Sequence, residues 1–143
     1  MRRERGPDRR KSEREATFTD RFVHRDWFAK FRCAFRGAAI GILHTESFRV
    51  HLPTALLACG VALWLEIEAW RWAIVLSSVA AVMAVELLNS SIETLSRAVT
   101  RETNPFVRDA LDIGAGAVLI ASIGAMLLGL LAIGPPLWDR LFG

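Results

Sequence analysis

Residues 113–138, "IGAGAVLIASIGAMLLGLLAIGPPLW", carry no charged side chain. Crossing the hydrocarbon of a bilayer takes about 20 helical residues at about 1.5 Å of rise each. This run is therefore a transmembrane segment, and the rest of the chain has to be read around a membrane. Two shorter apolar runs precede it, "LPTALLACGVALWL" (52–65) and "AIVLSSVAAVMAV" (73–85), joined by "EIEAWR" (66–71). They form a helical hairpin whose turn holds Trp64, Trp70 and Trp72 where interfacial aromatic belts sit. The expectation is an all-α membrane protein with three transmembrane helices, over about 50–70, 72–97 and 108–137.

The composition agrees: of 143 residues, 52% are hydrophobic and none is Tyr, unusual for a soluble domain. The chain opens with "MRRERGPDRRKSERE", too charged to bury a face, so residues 1–25 are expected to be a basic, disordered extension. No apolar core of signal-peptide length follows it. From Trp27 to Leu43, the apolar Trp27, Phe28, Phe31, Phe35, Ala38, Ala39, Ile42 and Leu43 recur at spacings of three and four, while Lys30, Arg32 and Arg36 point elsewhere. This is an amphipathic helix, over about 27–48, that lies in the membrane interface. Residues 26–143 thus form one membrane domain.

The net charge of +3 comes from basic residues clustered at the N-terminus, as on cytoplasmic flanks of membrane helices, and points to a membrane surface and not to nucleic acid. Arg97, Arg101 and Arg108 sit in the second loop, whereas the 66–71 turn has one Arg and two Glu. The N-terminus and the second loop are therefore expected in the cytoplasm of a bacterial inner-membrane protein, with the C-terminus outside. Asn104-Pro105 marks the turn before the third span. Cys33 and Cys59 have no CxxC spacing, and His24, His44 and His51 form no ligand pattern with them, so both sets are read as non-catalytic.

Against this background "VELLNSSIETL" (85–95) is anomalous, because Glu86, Asn89 and Glu93 continue directly from an apolar span. At 100° per residue they fall within about 60° of one another, and Ser90 adds a hydroxyl beside them. An ionisable residue at membrane depth costs about 2.5–3.5 kcal/mol on insertion scales, so such residues face a protein interior and serve a function. The plainer alternatives are Asn and Ser acting as helix glue, or Glu93 resting among headgroups. Two carboxylates at i and i+7 exceed what glue needs.

The third span begins "RDALDIGAGAVL", which brings Asp109 and Asp112 to the same membrane side, followed by the small Gly114 and Gly116. Carboxylates without Cys or His suit a hard cation such as Mg²⁺, commonly held by one or two carboxylates plus substrate phosphates. No GxxxxGK[ST] loop, protein-kinase signature or GxGxxG is present, so a nucleotide is not bound by a standard soluble module. From the residues alone, the result is a small helical membrane protein with a carboxylate site at its cytoplasmic side. A non-enzymatic bundle, such as a cation transporter or channel subunit using Glu86 and Glu93, remains open. A lipid phosphatase or CDP-alcohol transferase fits less well, since neither an "RP" phosphate-binding element nor a "DGxxAR" run occurs.

"AVELLNSSIETL", followed 19 positions after Glu93 by Asp112 in "LDIGAGAVL", resembles the prokaryotic diacylglycerol kinase family, which includes undecaprenol kinases. The likeness runs from about Trp27 to Leu131 and takes in "FRCAFRG" and "ESFRVHL". It implies a homotrimer of three-span subunits with a surface helix, in which ATP and Mg²⁺ phosphorylate the hydroxyl of diacylglycerol or undecaprenol. Position by position, it implies Glu86 as general base, Asn89 beside the transferring phosphoryl group, and Glu93 as metal ligand. It further implies Glu93, Asp112, Arg108 and Glu102 on the nucleotide, Glu46 as second metal ligand, and Arg36, Phe48, Arg49 and Ala115 on the lipid. Three positions depart from the family. Thr45 holds the place of the second metal-binding Glu, with Glu46 one residue later; Leu111 stands where a Lys is usual; and Arg97 replaces an acidic residue.

Overall fold

The computed structural model describes residues 27–99 and 104–143. The expected extension over 1–25 and the candidate nucleotide contact Glu102 lie outside them. All described elements are helices: α1 Trp27–His44, α2 Phe48–Trp64, α3 Ala69–Val99 and α4 Pro105–Phe142. The chain divides into two units, Met1–Ala39 and Ile40–Gly143.

On α1 the apolar side chains are exposed, with Trp27 at 75%, Phe28 at 89% and Phe35 at 75%. Trp27 and Phe31 stand with ring centroids 6.3 Å apart, and the Lys30 ammonium lies 5.2 Å from the Trp27 centroid. Among the described residues the aromatic side chains of α1 pack only against their own helix neighbours.

In the second unit, α3 and α4 pack along one another far more extensively than α2 packs on either. Both are long and apolar enough to cross a membrane; α2, at 17 residues, reaches that measure only joined to α1. Their burial is inverted relative to a soluble protein. Leu119, Ile120, Leu127, Leu130 and Leu131 of α4 are exposed, whereas Ser78, Glu86, Asn89 and Ser90 of α3 are buried. Polar groups turned inward and leucines outward is the arrangement hydrocarbon favours, since unpaired polar atoms in lipid cost several kcal/mol.

The ends of the helices are set by local chemistry. Asn104 caps α4, its side-chain oxygen accepting from the Phe106 amide at 2.9 Å, and Pro105 follows at the first helical position, where its missing N–H costs nothing. The turn expected at Asn104-Pro105 is thus a helix start. At the other end of the hairpin, α2 stops at Trp64, short of the expected limit near 70. The Ile67 amide donates to the Ala62 carbonyl at 3.3 Å and the Glu66 amide to the Leu63 carbonyl at 3.1 Å. This is a Schellman motif, with Glu66 at φ 50° in the position usually given to glycine. Its apolar contact is present too, because Ala62 and Ile67 are buried together with Val75 and Ala132. Trp64 and Trp70 are exposed as an aromatic belt requires, whereas Trp72 packs against this cluster.

α4 contains Pro135 and Pro136, neither of which can donate to the carbonyl four residues earlier. Those carbonyls belong to Leu131 and Ala132. Arg71 Nη1 donates to both, at 3.3 Å and 2.8 Å, so a guanidinium from α3 replaces the two missing amides. Arg71 is held by Glu68 at 3.4 Å and lies over the Trp70 ring at 4.5 Å. The charge in this turn therefore serves helix pairing as well as orientation.

Candidate active site

The buried residues of α3 are Val75, Ser78, Val82, Glu86, Asn89 and Ser90, a stripe at spacings of three and four that changes from apolar to polar along the helix. Glu86 is 1% exposed and is the largest fully buried side chain described. Ser90 Oγ donates to the Glu86 backbone carbonyl at 2.9 Å, which satisfies the serine within its own helix and leaves the carboxylate to other partners. Glu86 Oε2 lies 3.9 Å from His51 Nε2 of α2, and Oε1 is buried with no hydrogen-bond partner.

One turn on, Asn89 Nδ2 donates to Glu93 Oε1 at 3.2 Å, and Glu93 Oε2 stands 3.8 Å from Arg97 Nη2. With its nitrogen committed to Glu93, the amide turns its oxygen toward α4, where Oδ1 is buried and unpartnered. Gly114 makes room for it: a β-carbon there would collide with Asn89 Oδ1. The geometry thus joins Asn89, Glu93 and Gly114 where α3 meets α4, with Glu86 about one turn earlier on the same buried face of α3. Arg97, a departure from the family pattern, pairs with Glu93 one turn along the same helix.

The other candidates are more scattered. Asp112 is exposed on α4 two residues before Gly114, and Arg108 is exposed with Nε 4.0 Å from Asp109 Oδ1. Phe48 is buried at 2%, while Arg36, Arg49 and Ala115 are exposed. Glu46 is exposed in the turn before α2, and its side chain makes no hydrogen bond or ion pair among the described residues. No three His, Cys, Asp or Glu side chains among the described residues converge as a metal-ligating cluster. His51, the neighbour of Glu86, was not separable in sequence from the other histidines; its signal is only that it falls one helical turn after Phe48.

Below His51 an apolar cavity of about 430 Å³ opens between α2, α3 and α4, lined by Thr54, Ala58, Val61, Val79, Met126 and Leu130 among others. The arrangement is that of a small helical membrane protein that buries one ionisable carboxylate between its helices, with oxygen donors and no sulfur or imidazole cage.

Comparison with known proteins specifies the class. The sequence profile of the prokaryotic diacylglycerol kinases matches residues 32–133. The diacylglycerol kinase of Escherichia coli strain K12 is 35% identical over 94 residues, 66% of this chain and 77% of that one. The diacylglycerol kinase of Synechocystis is 32% identical over 108 residues, 75% of this chain and 62% of its own. The undecaprenol kinase of Bacillus subtilis strain 168 is 30% identical over 120 residues, 80% of this chain and 96% of its own. The chain belongs to the prokaryotic diacylglycerol kinase family. It is a membrane lipid kinase, and a non-enzymatic cation-handling bundle is not favoured. Phosphoryl transfer of this kind requires a divalent cation.

Proposed function

We propose that the chain transfers the γ-phosphoryl group of ATP to the hydroxyl of diacylglycerol or undecaprenol, with Glu86 as general base. The observation that carries this is Glu86 itself: 1% exposed, with Oε1 lacking a partner, at the level where Asn89 Oδ1 is also unpartnered. A buried carboxylate left without a donor is costly, and a lipid hydroxyl is a donor that reaches membrane depth without adding charge. In the transfer the lipid O–H bond breaks and its proton passes to Glu86 Oε1. The lipid oxygen bonds to the γ-phosphorus, the bond from that phosphorus to the β,γ-bridging oxygen breaks, and ADP leaves.

Asn89, oriented by Glu93, lies beside the transferring group. Its free oxygen accepts from a hydroxyl or ligates a hard cation, and so belongs with the carboxylates. The oxygen donors suit a hard cation, and Glu93 and Glu46 are the residues that would hold Mg²⁺. When bound, Mg²⁺ offsets phosphate charge and the repulsion between Glu86 and Glu93. Asp112, Arg108 and Glu102 contact the nucleotide, Arg108 supplying the cation that Leu111 does not. Arg36, Phe48, Arg49 and Ala115 contact the lipid.

We further place the protein in the bacterial inner membrane as a homotrimer, N-terminus in the cytoplasm, with α2 completing a third span. The scattered acidic residues of a single chain support a site completed by a neighbouring subunit. The test is ATP consumption by the purified protein in detergent with Mg²⁺, with diacylglycerol or undecaprenol as acceptor. Lipid-dependent turnover with one of them, lost in Glu86→Gln, is the expected result. No turnover with either acceptor overturns the proposal, and full activity in Glu86→Gln removes Glu86 as the base.

A further inference from the structure

A general base works only while one carboxylate oxygen is aimed at the proton, so whatever holds the other oxygen sets the rate. The Glu86 side chain has three torsions, and hydrogen bonding from its neighbours on α3 restricts them little, because Ser90 is committed to the Glu86 backbone carbonyl. Among the described residues one basic side chain pairs with the carboxylate, His51, with Nε2 3.9 Å from Oε2. We propose that His51 is a positioning residue for Glu86: its Nε2–H anchors Oε2 and leaves Oε1 facing the acceptor hydroxyl. This rests on the lipid-kinase mechanism proposed above.

Three observations converge on His51. The first turn of α2 is pinned by Phe48, 2% exposed, and His51 follows three residues later on the same face, so its direction toward α3 is fixed by packing. Its backbone amide is already used by the Ser47 carbonyl at 3.2 Å, leaving the ring for a side-chain partner. Its side chain is 23% exposed and lines the apolar cavity, so it borders both Glu86 and a space that an apolar ligand can fill. The 3.9 Å separation is beyond a formed hydrogen bond, and catalytic bonds of this kind commonly tighten only when substrate arrives. An imidazole also spares the site a permanent cation beside the base, which an Arg or Lys would impose.

The test compares His51→Ala and His51→Gln with the unaltered protein in the same detergent assay, varying ATP and lipid separately. The Gln amide nitrogen takes the place of Nε2 and donates the same bond. His51→Ala is expected to lower kcat by about 10- to 100-fold with both KM values within about twofold, and His51→Gln to recover most of the loss. Undiminished kcat in His51→Ala overturns the role, as does equal loss in both variants or a loss confined to KM. Absence of lipid-dependent turnover in the unaltered protein overturns the kinase mechanism and this role together, so the two failures are distinguishable.

Discussion

Asn89 Oδ1 occupies the space that a β-carbon on Gly114 would need, so the Asn89 side chain keeps this position only while residue 114 is glycine. The contact is selective along α4, because a β-carbon on Gly116, two residues on, would meet nothing within 4 Å. Gly114→Ala is expected to push the Asn89 side chain off Glu93 and lower kcat by about tenfold or more, with little change in thermal midpoint because a flexible side chain is what moves. Gly116→Ala should leave both unchanged. Parallel turnover and melting measurements on the two variants check this.

Glu86→Gln keeps the shape of the site and removes the carboxylate proposed as its base. Turnover should fall by about 10²- to 10⁴-fold, the usual contribution of a positioned general base, with the KM for ATP preserved. Because the variant no longer buries an ionisable carboxylate, its thermal midpoint in detergent should equal or exceed that of the unaltered protein. Steady-state kinetics and a melting curve on one preparation test both halves.

Arg71→Ala strips donors from the carbonyls of Leu131 and Ala132 where Pro135 and Pro136 cannot supply them. A loss of about 1 kcal/mol in stability is expected, the net contribution of a hydrogen bond, carried mainly by the part-buried carbonyl of Ala132. Replacing both prolines with Ala returns the amides, so in that background Arg71→Ala should cost less than it does alone. Denaturation midpoints across the four proteins of this cycle decide it.

Glu66 adopts the left-handed conformation with a β-carbon, at a cost of about 1–2 kcal/mol relative to glycine. Glu66→Gly should therefore stabilise the α2–α3 hairpin, by up to about 1 kcal/mol after allowing for the greater freedom of glycine in the unfolded chain. A higher melting midpoint with unaltered turnover is the expected outcome.

The membrane helices and the polar stripe were legible in the sequence because each is a one-helix pattern: charge-free length for α4, and a shared face for Glu86, Asn89 and Glu93. Asn104-Pro105 was legible as a turn before the third span, being a local signal, but not as the cap from which α4 starts. What periodicity along one helix does not contain is the contact between helices. Nothing in "FRVHL" singles out His51 until α2 lies beside Glu86, and nothing in "EAWRW" shows that Arg71 answers the carbonyls of Leu131 and Ala132, 60 and 61 residues away. The end of α2 at Trp64 was missed because its Schellman motif lacks the glycine that usually announces one. Roles were not legible from pattern at all; the division of the stripe into base, positioning amide and metal ligand came from the family resemblance.

The Arg71 contact also acts as a length gauge. Eighteen residues separate Arg71 from Asn89 on α3, and eighteen separate Gly114 from Ala132 on α4. Eighteen residues make about five full turns, so both contacts lie on the same side of each helix, about 27 Å apart. The antiparallel pair is therefore fastened twice in matching register, once at the carbonyls of Leu131 and Ala132 and once where Asn89 meets Gly114. Sliding by a single residue would break both fastenings together, so the register that sets Asn89 against Gly114 is fixed as well from about 27 Å away, at the opposite end of the pair.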